Sequence, residues 1–270
     1  MDNMANSNEF LEVDLDSVDS VADLSESITG QLLIGNPVVI AFGEVYALIC
    51  DTYNEEAVNK VRGIKNRETQ KTFSLLVDIP DFLNYAQIIN GQRIPLIDFN
   101  SMHESSRDFI SNPEDVAMVF GNTAFFRIPI NPKLSSLIPD WAQNHLFQVQ
   151  CFSFAGDKAA YEVEKTVRSK LQSSYPDKPA SILITSFNIS HSTSITDREA
   201  AIDLAKASSP YGLTLQVDRM NNKEKKGSYP IFVFTSEGVV LERNEVDDPR
   251  VIKVTTELKN YKVNFKESLI

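Results

Sequence analysis

No lysine or arginine occurs before Lys60, although residues 1–59 contain twelve aspartates and glutamates. The rest of the chain holds 25 acids against 26 bases, so the net charge of −11 belongs to the leading end. A nearly neutral body lacks the broad positive field that duplex DNA requires, and a local basic pocket in it suits a small anion. There are only two cysteines, Cys50 and Cys151, both beside apolar runs. Two are too few for a disulfide framework or a zinc site, and both read as buried thiols. No run of eighteen apolar residues exists, and the chain opens acidic and polar. A membrane span and a signal peptide are therefore not expected, and a cytoplasmic location is. His103, His145 and His191 lie far apart without metal-ligand spacing, so no metal site is expected. With ten glycines and no Walker or dinucleotide pattern, phosphate cradling by a glycine-rich loop is also excluded.

What is present is a chain of 270 residues, 42% hydrophobic, which is enough to bury a large core. Residues 1–27 mix acids and serines with isolated Leu and Val, which reads as an acidic, flexible tail. A docking segment for a protein partner, or a cover for a basic cleft, is the sharper alternative. Residues 28–246 carry the globular pattern, and residues 247–270 read as an extension packing on or trailing it. Buried strands are expected at 37–41, 45–49, 73–77, 124–129, 146–154, 180–186, 213–217, 231–235, 239–241 and 251–254. Helices are expected at 81–89, 104–110, 157–173 and 196–207, the last with a Thr196–Glu199 capping box. Residues 90–117 otherwise read as loop, with a turn at Asn90-Gly91, and 221–227 as an exposed hairpin tip. Trp141, in a proline-rich connector, reads as a packing anchor. Strands mixed with helices in no regular βαβ rhythm predict an α/β (α+β) fold, one large domain with a twisted mixed sheet and flanking helices.

The stretch 54–77, NEEAVNKVRGIKNRETQKTFSLLV, organises the rest. Asn54 is a good N-cap, and Glu55 and Glu56 complement the helix dipole. Ala57, Val61 and Ile64 share one apolar face. The helix then delivers Lys65, Arg67 and Lys71 just before an apolar strand. Cations leaving a helix end are ordinary dipole partners, so the motif gains weight only from its company.

That company resembles the YrdC-like family, the threonylcarbamoyl-AMP synthases. VYALICDTYNEEAVNKVRGIKNR is similar to the family's VYGL step, EAV helix and K-x-R element, here Lys65-Asn66-Arg67. Ser186-Phe187-Asn188, after a buried strand, resembles its S-x-N motif, with His191 where a Gly follows S-x-N-x-S. Gly121 stands where a PGP-like turn occurs, and Arg243 near a late I-L-R element. The resemblance covers roughly residues 28–246. It implies ATP-dependent formation of L-threonylcarbamoyladenylate for tRNA modification, a nucleotidyltransferase reaction from threonine and bicarbonate. It also implies substrate or nucleotide contacts from Tyr46, Lys65, Arg67, Gly121, Ser186, Asn188 and Arg243, with ATP and Mg2+ as companions. The chain departs from the pattern at Glu44, where a hydroxyl becomes a carboxylate, and at 150–154, where a ligand-facing Arg is lost. The hydroxyls of the S-T-V-V-D strand are replaced at 230–234. A charged-group hydrogen bond contributes roughly 1.5–3 kcal/mol, so several losses together remove orders of magnitude in binding or rate. The alternative is therefore a catalytically inactive YrdC-like module that binds a nucleotide or double-stranded RNA. A third reading is an interaction protein recognised through residues 1–27.

Overall fold

The computed structural model describes residues 11–17, 20–219 and 227–266. Its elements begin with β1 (Leu11–Asp14), α1 (Val21–Leu33), β2 (Val38–Ile40), β3 (Ala47–Asp51), α2 (Glu55–Lys65), β4 (Ser74–Leu76) and α3 (Ile79–Asn84). Next come β5 (Ala86–Ile89), β6 (Gln92–Pro95), α4 (Glu104–Ile110), α5 (Pro113–Phe120), β7 (Phe125–Pro129), β8 (Gln148–Phe152) and α6 (Lys158–Gln172). The chain continues with β9 (Ile182–Ser186), α7 (Arg198–Ala207), β10 (Leu215–Asp218), β11 (Ile231–Thr235), β12 (Gly238–Arg243) and α8 (Pro249–Asn260). The anticipated α/β (α+β) class holds, with mixed sheet flanked by helices. The chain divides into two compact units, residues 1–68 with 185–227, and residues 69–184 with 228–270.

In the first unit the strand order is β1-β10-β2-β3, parallel for the first two pairings and antiparallel for the last. Leu11-Glu12-Val13-Asp14, read by composition as part of a tail, pairs in register with Leu215–Asp218. Glu12 and Asp16 form ion pairs with Arg198 and Arg219. The acids here follow the period-2 alternation of a strand, a pattern hidden by their number. Ser20 caps α1 by accepting from Asp23 N–H, so this helix starts well before Ile28. Helix α2 follows its sequence signals: the Asn54 side chain accepts from Ala57 N–H, and Ala57, Val61 and Ile64 are buried.

In the second unit β9, β4, β8, β7, β11 and β12 pair in that order. Its core is one apolar cluster in which Phe109, Phe120, Phe126, Phe232 and Phe234 pack together. Trp141 packs against it, as an anchor should. Four expectations are corrected here and in α7. Residues 251–254 are helical, not a strand: Asp248 accepts from Arg250 N–H and Pro249 sits in the first turn, which outweighs the β-branched run. The helix expected at 81–89 ends at Asn84, and 86–95 is a hairpin. Its turn residues Asn90 and Gly91 have φ of 51° and 76°, the pair of positive values a tight hairpin turn takes. Within 90–117, α5 was also missed. The cap of α7 is Asp197, whose side chain accepts from Ala200 N–H, so Thr196 and Glu199 do not form the expected box. The hairpin tip expected at 221–227 lies almost wholly outside the described residues.

Candidate anion site

The site is built where α2 ends. Lys65 is its last residue, and Asn66 then turns left-handed at φ 47°, ψ 48°. Asn66 N–H donates to Gly63 O at 3.1 Å and Arg67 N–H to Arg62 O at 3.0 Å, the paired bonds that close a helix through a left-handed residue. Asparagine tolerates that conformation better than other side chains with a Cβ, so the middle residue of K-x-R has a backbone reason. The turn leaves the Lys65 side chain directed into the loop that follows β9.

Lys65 is 2% exposed. Its ammonium donates to Ser186 O, to Asn188 O at 2.8 Å and to Asn188 Oδ1 at 3.0 Å. Its own carbonyl accepts from Ser190 N–H at 2.8 Å. All three ammonium donors are thus used, and the acceptors are neutral. Among the described residues no carboxylate pairs with Lys65. Burial, and next the neighbouring Arg67 charge, bring its pKa down from 10.5 to about 7.

Asn188 is the hub of the loop. Its Oδ1 also accepts from Ser186 Oγ at 2.6 Å, and its Nδ2 donates to Ile189 O at 3.0 Å and Ser192 O at 2.7 Å. Every donor and acceptor of the amide is engaged, which fixes its orientation. Phe187, wholly buried, donates its N–H to Tyr46 O at 2.7 Å and so ties the loop to the residue before β3. His191 has φ 70°, in the left-handed region that glycine adopts most readily.

Tyr46 lies in the same unit, but its hydroxyl is committed to the frame. It donates to Asp218 Oδ2 at 2.7 Å, and Arg198 Nε lies 3.5 Å from that same oxygen. Burial first, and then Asp218, push the phenol well above its usual range. Asp218 and Arg198 had no local sequence signature, because they meet Tyr46 only through the fold. The structure therefore brings Lys65, Ser186, Asn188 and Tyr46 together, with Arg67 close enough to Lys65 to be felt electrostatically.

Gly121 and Arg243 belong to the second unit. Gly121 follows α5, and a Cβ there would collide with the carbonyl oxygens of Ala117 and Ala155, so it serves close packing. Arg243 ends β12 and is exposed. The two cysteines are free and buried, and burial holds both thiols high. Among the described residues no group of three or more His, Cys, Asp or Glu could hold a metal ion. Nor is any described helix long and apolar enough to cross a membrane.

A family model described as telomere recombination, covering Sua5, YciO and YrdC, matches residues 31–99. E. coli YciO has the same fold at TM-score 0.57 and 12% identity, over 88% of this chain and 97% of that one. The fold is YrdC-like. P. abyssi Sua5, solved in complex with L-threonine, matches at TM-score 0.56 and 15% identity over 86% of this chain. HypF, solved in a phosphate- and nucleotide-bound form, matches at TM-score 0.53 and 15% identity over 84% of this chain. The chain spans 56% of that Sua5 and 29% of that HypF. No curated protein matches the sequence. At these identities the structural likeness speaks for the fold, and the candidate site must be argued from its own residues.

Proposed function

We propose that the loop after β9 and the end of α2 form a nucleotide site, and that the chain uses ATP to make L-threonylcarbamoyladenylate or a close variant with another amine. The observation that carries this reading is Lys65, a buried cation with neutral acceptors only, set beside Arg67 on the Ser186–Asn188 loop. Two unit charges about 6 Å apart at an effective dielectric of about 20 interact by ~3 kcal/mol, so such a charge favours an anion without touching it. Arg67 adds the forked donors suited to phosphate oxygens. Support also comes from relatives of the same fold solved with L-threonine and with phosphate and nucleotide.

In the proposed reaction the threonine amine combines with bicarbonate, releasing water and giving a carbamate. A carbamate oxygen then attacks the α-phosphorus of ATP, the bond to the β-phosphate bridge breaks, and pyrophosphate leaves. No covalent role falls to the protein, whose task is orientation and charge stabilisation. Magnesium would supply further phosphate neutralisation, held through the phosphate oxygens and water. Pyrophosphate release with ATP, bicarbonate and threonine tests the reading; release no greater than that of Arg67→Ala rejects it.

A second reading is a binding module that has lost the reaction. It is favoured by the carboxylate of Glu44 at a hydroxyl position, and by Ser186 and Asn188, whose donors are spent within the loop. Calorimetry separates the two, since heat with ATP or an RNA duplex but no pyrophosphate selects the module. Transfer RNA and a protein partner for residues 1–27 remain proposals of the same rank.

A further inference from the structure

The fixed groups around Lys65 say more about its role than the K-x-R spacing does. Four hydrogen bonds join this one residue to the 186–190 backbone and to Asn188, three from the ammonium and one to the carbonyl. An ammonium whose donors are all spent in this way has none left to offer a phosphate oxygen. The acceptors belong to residues 186 and 188, on either side of Phe187, so the segment is gripped from both sides.

We propose that Lys65 is the positioning residue of the site, a latch that holds the 186–192 loop in its closed form so that an anion meets that loop and Arg67. This deepens the nucleotide reading and rests on it for its functional consequence, but the latch itself is visible without any ligand. A protonated Lys65 satisfies three acceptors, and a neutral amine has only two N–H groups. Loss of the proton must therefore release one acceptor and loosen the loop. With the Lys65 pKa brought to about 7, that change falls within reach of ordinary buffers. The charge that acts on it is Arg67 on its own segment; within 186–192 the titratable side chain is His191, exposed, with its Nε2 3.8 Å from Glu68 Oε1.

Amide hydrogen exchange on the full chain between pH 6 and 9, corrected for intrinsic rates, reads the latch directly. The 186–192 amides should lose protection at least tenfold across that range with a midpoint near 7. His191→Asn, which keeps a side chain suited to left-handed backbone, should keep the step, whereas Lys65→Met should be open at both ends of the range. Arg67→Gln should keep the step and lose ATP affinity. An unchanged loop in Lys65→Met, no step in the wild type, or a step removed by His191→Asn would each overturn the latch. A normal step together with no heat of ATP binding would sustain the latch and reject the nucleotide reading alone.

Discussion

Lys65 in the first unit and Arg168 in the second are almost sealed from water, at 2% and 4% exposure, yet they keep different company. Arg168 lies 3.2 Å from Glu164 and 3.4 Å from Asp78, and Tyr161 donates its hydroxyl to Asp78 as well. Glu164 also accepts from Phe154 N–H at 2.7 Å, in the 150–154 stretch where the resemblance implies the loss of a ligand-facing arginine. Asp78 offsets the guanidinium charge and Glu164 takes a second hydrogen bond from it, so this cluster is a closed structural device. Lys65 has only neutral acceptors and keeps its charge uncompensated. Burial alone does not mark a functional cation; the sign of what surrounds it does.

The contrast is sharpest under mutation. Arg168→Leu strands the buried Asp78 carboxylate, leaves Glu164 without its partner, and should cost ~3–5 kcal/mol in denaturant unfolding. A cost under ~1 kcal/mol would show that the cluster is not the closed charge set described here.

The two regions should also respond oppositely to pH. Burial raises the Glu164 pKa from 4.5 to about 8, against the pull of Arg168. Its contribution to stability is complete below about 4.5 and is lost as pH rises through 8. Lys65 is depressed from 10.5 to about 7, so its contribution is present above 10.5 and is lost as pH falls through 7. Global stability rises with pH in the Lys65 window because a neutral amine is easier to bury, although the loop locally has one hydrogen bond fewer. Denaturation midpoints across pH should fall in the first window and rise in the second. Glu164→Gln should flatten only the falling part, and Lys65→Met only the rising part; a profile indifferent to both substitutions refutes the assignment.

The smallest effect concerns the loop backbone. His191→Gly removes a Cβ from a left-handed residue at φ 70° and should stabilise by ~1 kcal/mol, less what glycine costs in the unfolded chain. Destabilisation by this change would mean that the exposed contact with Glu68 outweighs the backbone cost.

Much of this was legible in the sequence where the signals are local. The α2 helix, its Asn54 cap and its buried face follow from residues three and four apart, and so does α6 behind Asp157. The strand at 231–235 was read to the residue. Strand β1 was obscured because its acids dominated its alternation, and α8 because Val251–Val254 favours a strand until Pro249 and Asp248 are given weight. The meeting of Lys65 with Ser186 and Asn188 could be expected only from motif order, since 121 residues separate the nearer pair. Its meaning could not, because spent donors on Asn188 are a property of the folded loop. Asp218 under Tyr46 and Asp78 beside Arg168 had no signature at all, being tertiary partners 172 and 90 residues away.

Calorimetric titration of ATP at pH 6.5 into the wild type and Lys65→Met, both shown to be folded, tests the central claim most directly. An uncompensated cation that also holds the loop predicts binding to the wild type and a ~10–100-fold weaker affinity in the variant. Equal affinities would show that the charge and the latch of Lys65 serve the fold alone.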